Sequence, residues 1–146
     1  MGQYEDVRIH ATCVVVGRAG VLLRGPSGAG KSDLAARLID AGAKLVADDH
    51  TVLSRRGDIV TGRAPPTLRG LIEVRGVGIL RLPAAKLAAS GRIRRIVDLV
   101  DGEIDRLPEA EEEMLLGVRV PSMRCRPFEA SAVAKIRLAL GATRFA

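Results

Sequence analysis

Short apolar runs separated by glycine mark the first fifty residues of the chain. The runs at residues 14–16 and 21–23 are rich in valine and leucine and enclose two glycines, a pattern that predicts two strands joined by a tight turn. Leucine and isoleucine then recur at helical spacing from Ser32 to Ala41, and Gly42 stands where such a helix would end. The pattern therefore predicts the order strand, turn, strand, loop, helix.

The rest of the chain alternates strand-like runs with turn residues. Apolar runs predict strands at residues 45–47, 51–53, 58–60, 71–74 and 93–100, and helical spacing predicts a C-terminal helix at 129–140. Arg56-Gly57 is a candidate hairpin turn, and Pro65-Pro66 interrupts regular structure. Because no repeat, low-complexity stretch or long linker divides the sequence, we expect one domain over residues 1–146, with helices packed on a mixed sheet.

Composition narrows the class of protein. The 146 residues are 47% hydrophobic and 27% charged, which is the balance of a globular domain. Aromatic residues make up only 2%, so the core must be aliphatic. The same scarcity disfavours modules that stack nucleic-acid bases on aromatic side chains.

Charge is positive overall and unevenly distributed. The net charge is +6, but lysine and arginine are scattered in runs of no more than two, as on a solvated surface, so no nucleic-acid partner is expected. Residues 103–113 carry six acidic side chains against one arginine, whereas residues 114–146 carry six cations against one glutamate. The basic C-terminal end is therefore a candidate for steering an anionic ligand or an acidic partner.

Targeting and redox signals indicate a reducing compartment. No apolar run approaches the roughly 20 residues of a membrane helix, and the polar start of the chain is unlike a secretory signal. Cys13 and Cys125 are too few for a disulfide framework or, by themselves, for a structural zinc site. We therefore expect a cytoplasmic protein that has no membrane partner.

A phosphate-binding loop is the strongest chemical signal in the sequence. Its residues satisfy G-x-x-x-x-G-K-[ST] at every fixed position: Gly25, Pro26, Ser27, Gly28, Ala29, Gly30, Lys31 and Ser32. Glycine permits backbone angles that turn successive N–H groups toward an anion, and the following helix directs its positive end to the same point. Lys31 supplies a cation for the terminal phosphates, and the Ser32 hydroxyl is a ligand for Mg²⁺. The sequence therefore predicts an α/β P-loop nucleotide-binding domain with a mixed sheet and flanking helices.

Carboxylates downstream of the loop are candidates for the catalytic chemistry. Asp48 and Asp49 follow an apolar strand, where one can reach Mg²⁺ and the other can accept a proton from an attacking hydroxyl. The alternative is an acidic turn without function. Glu73 lies inside an apolar strand and needs a partner, a metal or the solvent face. His10 and His50 have no partner identifiable from spacing, and a structural role is the simpler interpretation for both.

Taken in order, these motifs resemble the C-terminal catalytic domain of HPr kinase/phosphorylase. The resemblance covers most of residues 10–80 and weakens after about residue 85. It consists of a histidine 22 residues before the loop serine, a G-V-L run, the loop itself, L-[IV]-A-D-D, A-P-P and E-[IV]-R-G-x-G-I. In this chain these are His10, Gly20-Val21-Leu22, residues 25–32, residues 45–49, Ala64-Pro65-Pro66 and residues 73–79. Each piece is short, but the ordered set is specific.

The resemblance implies an activity and an assembly. Members of that family transfer the γ-phosphate of ATP to a serine of HPr, a small phosphocarrier protein. They also remove this phosphate by attack of inorganic phosphate, which gives pyrophosphate, and they assemble as hexamers. ATP, Mg²⁺ and an HPr-like protein are therefore the expected cofactors and partner, and a homo-oligomer is the expected assembly.

The resemblance also implies residue roles. Carried over by position, Lys31 and the loop backbone hold the phosphates, with His10 beside them. Asp48 is the base toward the serine hydroxyl and returns the proton in the reverse direction. The implied metal ligands are Ser32, Glu73 and Asp49.

Three positions depart from the family pattern, and two other functions stay open. Ala11 stands in place of glycine, Pro26 in place of aspartate and Asp33 in place of glutamate. Members of the family carry a further N-terminal domain, so the sequence is expected to be a short form. The other functions are a P-loop kinase for a small molecule, which the Asp48-Asp49 pair disfavours, and a catalytically silent nucleotide-binding regulator.

Overall fold

The structure is a computed structural model that describes residues 4–145. Its strands are β1 (Val7–Ile9), β2 (Thr12–Val16), β3 (Ala19–Arg24), β4 (Lys44–Ala47), β5 (Thr51–Arg56), β6 (Ile59–Arg63), β7 (Leu71–Val74), β8 (Gly78–Arg81), β9 (Gly91–Leu99), β10 (Glu111–Leu115) and β11 (Val118–Cys125). Its helices are α1 (Lys31–Asp40) and α2 (Ala132–Gly141), with short 3-10 turns at Pro66–Leu68 and Ala84–Lys86. No helix within residues 4–145 is long and apolar enough to cross a membrane.

A mixed sheet organises the fold around β3 and β9. Seven strands lie in the order β1-β5-β6-β9-β3-β2-β4, and β11 adds the β10–β11 pair to β9. β3 runs parallel to β9, with Leu22 opposite Ile96, and it runs antiparallel to β2. The start of β9 pairs with β6 and its end pairs with β11. A separate two-stranded sheet is formed by β7 and β8.

Both faces of the sheet are buried by aliphatic side chains, as the composition predicts. Val21 and Leu23 pack in one cluster with residues of both helices. Leu22, which points to the opposite face because side chains alternate along a strand, packs in a second cluster with Leu53 and Val60 of the β5–β6 hairpin. β3 is therefore buried on both faces, and the phosphate loop begins directly at its C-terminal end.

Most predicted elements in the first half of the chain are confirmed. These are the strand pair at β2 and β3, helix α1, strand β4, the β5–β6 hairpin and strand β7. The end of α1 follows the predicted pattern: Gly42 has φ 109°, and the Ala43 N–H donates to the Leu38 carbonyl at 2.9 Å. Helix α2 is also present but begins at Ala132, three residues after the predicted start.

Strands β1, β8, β10 and β11 were not predicted. β10 begins with the acidic residues Glu111–Glu113, which are poor strand formers, but it pairs with the arginine-rich β11. Arg124 contacts Glu111 at 3.2 Å, and Arg119 contacts Glu112 at 3.7 Å. The acidic stretch and part of the basic C-terminal end therefore pair with each other, which reduces the positive charge available to steer a separate anion.

Candidate active site

The phosphate loop and the start of α1 form one side of a small open cavity. The cavity has a volume of about 250 Å³. Gly28 and Gly30 have φ of 82° and 101°, a left-handed region that residues with a Cβ avoid. The first hydrogen bond inside α1 runs from the Leu34 N–H to the Gly30 carbonyl, and no side chain caps the helix. The N–H groups of the first turn therefore stay available for an anion.

The ammonium group of Lys31 is held at the start of this loop. The side chain is only 5% exposed, and Nζ donates to the carbonyl oxygens of Gly25 at 2.7 Å and Pro26 at 3.2 Å. A lysine ammonium has three hydrogens, so these two bonds leave one donor for another acceptor. Because Lys31 also lines the cavity, its buried positive charge complements an anion bound there.

The Asp48 carboxylate is fixed by three hydrogen bonds. Oδ1 accepts from Ser32 Oγ at 2.7 Å and from Thr12 Oγ1 at 3.1 Å. Oδ2 accepts from the backbone N–H of Glu73 at 3.0 Å. Since Ser32 donates its only hydroxyl hydrogen to Asp48, the lone pairs of its oxygen are free for a cation. Asp48 thus ties the loop serine to strand β7 and orients it.

Asp49 occupies the centre of a tight turn, and its carboxylate points toward His10 instead of Ser32. The N–H of His50 donates to the Asp48 carbonyl at 2.7 Å, and Asp49 between them has φ 64°. Oδ1 of Asp49 lies 2.5 Å from His10 Nε2 and 3.7 Å from Lys31 Nζ. Its Oδ2 lies 3.7 Å from His50 Nε2. The turn therefore separates two adjacent carboxylates, placing one on the loop serine and the other on a histidine.

Thr12 connects these two carboxylates. Its side chain is fully buried at the start of β2, where Oγ1 donates to Asp48 Oδ1 and accepts from the Asp49 N–H at 3.0 Å. A hydroxyl can donate and accept at the same time, whereas a valine of the same shape can do neither. Thr12 is therefore a positioning residue for the turn, and sequence analysis missed it.

The residues around the cavity offer oxygen ligands suited to a magnesium ion. Ser32, Asp48, Asp49 and Glu73 all line it. No group of three or more His, Cys, Asp or Glu within residues 4–145 is arranged as a ready metal site. Magnesium ions that bind together with substrate phosphates often take only one or two carboxylate ligands from the protein. The oxygen ligands around this cavity therefore fit Mg²⁺ bound with a nucleotide.

Comparison with known proteins identifies the family. The HPr Serine kinase C-terminal domain family matches residues 4–138. The chain belongs to this family. An HPr kinase/phosphorylase from Burkholderia lata is 40% identical over 121 residues, covering 77% of this chain, and one from Ralstonia nicotianae is 40% identical over 123 residues, covering 78%. The match spans 38% of the length of each of these relatives.

A solved structure agrees with this membership. The Hpr(Ser) kinase/phosphatase from Coxiella burnetii superposes with a TM-score of 0.78 at 26% sequence identity. The match covers 92% of this chain and 93% of that chain. The predicted α/β P-loop class with a mixed sheet and flanking helices is thereby confirmed, as is the resemblance noted from the motifs.

Most residues predicted for the site meet at one cavity. Its lining includes Ser27, Gly28, Gly30, Lys31, Ser32, Asp48, Asp49 and Glu73. His10 borders it through Asp49, while Pro26 and Ala29 line a second cavity on the other side of the loop. Arg75, which lies in the motif at residues 73–79, and Phe128 also line the first cavity, but neither was among the predicted site residues. Phe128 had one available signal, since it is one of only two phenylalanines in the chain.

Proposed function

We propose that this domain transfers the γ-phosphate of ATP to a serine hydroxyl of an HPr-like phosphocarrier protein and uses Mg²⁺ to do so. The same groups serve the reverse reaction, in which inorganic phosphate removes the phosphate and pyrophosphate forms. The observation that carries the proposal is the pair of adjacent carboxylates with different partners beside a phosphate loop. With such a partner, we propose that the protein acts in the cytoplasm.

The loop and Lys31 bind and orient the phosphates. The N–H groups at the start of α1 and the buried ammonium supply fixed positive charge where the phosphoryl group carries negative charge. The Ser32 hydroxyl, with Glu73 on the facing strand, supplies oxygen ligands for Mg²⁺. When bound, the metal neutralises phosphate charge. These groups are present before the acceptor arrives, so little rearrangement is needed at the reaction step.

The hydrogen bonds favour an exchange of the two aspartate roles expected from the resemblance. Asp48 already accepts from Ser32, Thr12 and the Glu73 backbone, which suits it to positioning the metal ligand Ser32. Asp49 accepts no hydrogen bond from a hydroxyl or a backbone N–H in the described part of the chain, and its side chain is 48% exposed. We therefore assign Asp49 as the base and His10 as the residue that orients it.

In this proposal, Asp49 moves the serine proton during transfer of the phosphoryl group. The serine oxygen forms a bond to the γ-phosphorus, the bond to the β–γ bridging oxygen breaks, and ADP leaves while Asp49 takes the serine proton. In the reverse direction a phosphate oxygen attacks the phosphoserine phosphorus. Asp49 then returns the proton to the departing serine oxygen, and pyrophosphate forms.

The hairpin of β7 and β8 supports a protein acceptor over a small molecule. Ile79 lies opposite Glu73, so its side chain is on the face that borders the cavity, and it is 72% exposed. Val77 at the tip is 68% exposed. Arg75 and Arg81 beside them form no ion pair within residues 4–145. Exposed apolar side chains next to a reaction site are typical of a protein-binding surface.

The kinetics of two variants test the roles. For Asp49→Asn we expect a fall in kcat of about 10²- to 10⁴-fold with an unchanged Mg²⁺ requirement, because a base is lost and the metal ligands are intact. For Asp48→Asn we expect a raised Mg²⁺ requirement, with part of the activity restored at high Mg²⁺. The opposite pattern would return the base to Asp48. Binding of ATP without labelling of any carrier by the wild type would instead favour the small-molecule kinase or the silent regulator.

The assembly is part of the proposal and has its own test. By resemblance we propose a homo-oligomer, with a hexamer as the specific expectation. Size-exclusion chromatography with light scattering reports the mass directly, and the chain mass is 15.5 kDa. A mass of one chain at micromolar concentration would contradict the oligomer without bearing on the phosphotransfer activity.

A further inference from the structure

Phe128 is an exposed aromatic side chain beside the phosphate loop. It lies in the turn between β11 and α2 and is 69% exposed. Its ring rests on Gly30, where an added Cβ would lie 2.8 Å from the ring atom Cζ. The preceding carbonyl, of Pro127, accepts a hydrogen bond from Arg37 of α1, which fastens this turn to the helix that follows the loop. The far end of the ring therefore contacts the loop while much of the side chain stays open.

A second cavity lies on the other side of the loop. Its volume is about 740 Å³, within the range of about 300–1,000 Å³ in which proteins bind small organic ligands. The loop, the end of β9 and the Phe128 turn form its walls. It shares Ser27, Gly28 and Phe128 with the phosphate cavity, so the two cavities adjoin at the loop and the aromatic ring. An added Cβ at Gly28 would meet nothing within 4 Å, which leaves room for a ligand to cross there.

Charge assigns different halves of a nucleotide to the two cavities. The smaller cavity has the buried Lys31 ammonium and the uncapped end of α1, which suit phosphates. The larger cavity is lined by the carboxylates of Asp101 and Glu129 and by the guanidinium of Arg126, and Glu129 lies 3.5 Å from Arg126 and 2.8 Å from Lys135, so the lining has little net charge. A lining with little net charge attracts phosphates less than the Lys31 site does, and its carboxylates accept hydrogen bonds from ribose hydroxyls and exocyclic amines. The larger cavity therefore suits a neutral, hydroxyl-bearing group.

We propose that the second cavity binds the nucleoside half of ATP and that the base stacks on Phe128. This assignment rests on the proposed kinase function and adds a residue outside the phosphate loop. Removing an aromatic ring on which a base stacks lowers the affinity for the nucleic acid about 5- to 150-fold. Phe128 is then a binding determinant that discriminates nucleoside triphosphates from inorganic polyphosphate.

The test compares Mg²⁺-ATP with inorganic tripolyphosphate by isothermal titration calorimetry. For wild type we expect tighter binding of ATP than of tripolyphosphate. Phe128→Ala should weaken ATP binding about 5- to 150-fold and leave tripolyphosphate binding unchanged. Phe145→Ala is the matched control, since Phe145 is 97% exposed and lines neither cavity, and it should change neither affinity.

A second variant provides an optical readout. The chain contains no tryptophan, so Phe128→Trp introduces a single tryptophan at the proposed contact, and its fluorescence can be excited selectively. ATP should quench its fluorescence by stacking, and tripolyphosphate should not. Equal affinities of wild type for the two ligands, or ATP binding that Phe128→Ala leaves intact, would refute the nucleoside assignment alone. If neither ligand binds wild type, the phosphate site fails, and the proposed function and this assignment are refuted together.

Discussion

Replacing Thr12 with valine tests whether one buried hydroxyl positions both aspartates. Thr12→Val keeps the shape of the side chain but removes the donor to Asp48 and the acceptor for the Asp49 N–H. A hydrogen bond to a charged group contributes about 1.5–3 kcal/mol, and an N–H left without a partner costs about 1–3 kcal/mol. Both aspartates are only half-buried, so water replaces part of the lost hydrogen bonding. We therefore expect the two lost hydrogen bonds together to lower the free energy of unfolding by about 3 kcal/mol.

Thermal unfolding followed by circular dichroism measures this change. For a domain of about 150 residues, 1 kcal/mol corresponds to about 2–4 °C in Tm, so Thr12→Val should lower Tm by about 6–12 °C. Thr12→Ser is the control, because it keeps the hydroxyl and removes one buried methyl group worth about 0.8 kcal/mol. Its Tm should fall by only about 2–3 °C.

The order of the two variants is the decisive result. Valine is the better strand former and buries more apolar surface, so strand propensity and hydrophobicity alone rank Thr12→Val above Thr12→Ser in stability. The hydrogen bonds of Thr12 predict the reverse order. If Thr12→Val proves as stable as Thr12→Ser, the hydroxyl does not organise the turn, and the argument for separate aspartate roles loses its support.

Three further predictions concern charge, the loop and the thiols. Arg24 holds the pKa of Glu113 below its ordinary 4.5 by hydrogen bonding, so Arg24→Met should lower the free energy of unfolding, measured with urea at pH 7. This deficit should shrink as the pH falls from about 5 to 3, because the wild type loses the contribution of this hydrogen bond as Glu113 is protonated. Gly30→Ala places a Cβ at φ 101° and 2.8 Å from a phenylalanine ring carbon, so calorimetry should show ATP affinity reduced by about tenfold or more. Burial raises the pKa of Cys13 to about 12 and also raises that of Cys125, so Ellman's reagent at pH 8 should label neither thiol rapidly until the protein is denatured; fast labelling of the native protein would contradict this burial.

The elements that sequence analysis predicted are those whose apolar pattern decides their structure. β2, β3 and α1 are buried against each other, so their hydrophobic spacing matches the face they pack. β10 is an exposed edge strand whose charged side chains carry no such signal. It forms because β11 supplies backbone partners and two arginines whose side chains reach its glutamates, which only the fold brings together.

The candidate site likewise contains features that the sequence predicts and features that depend on the fold. The phosphate loop is contiguous, so its residues and their chemistry can be predicted from the sequence. Thr12 lies 36 residues from Asp48, and their hydrogen bond depends on the pairing of β2 with β4. The different directions of the two adjacent carboxylates depend on the left-handed φ of Asp49, which no spacing rule reveals.

Transfer of labelled phosphate to a carrier protein tests the central claim most directly. Wild-type domain, Mg²⁺, ATP labelled at the γ-phosphate and a purified HPr-like carrier are incubated together, and the labelled residue is located by mass spectrometry. We predict label on a carrier serine, little label with Asp49→Asn, and pyrophosphate when the phosphorylated carrier is treated with inorganic phosphate. ATP bound at the loop with no label on the carrier would contradict the proposed function.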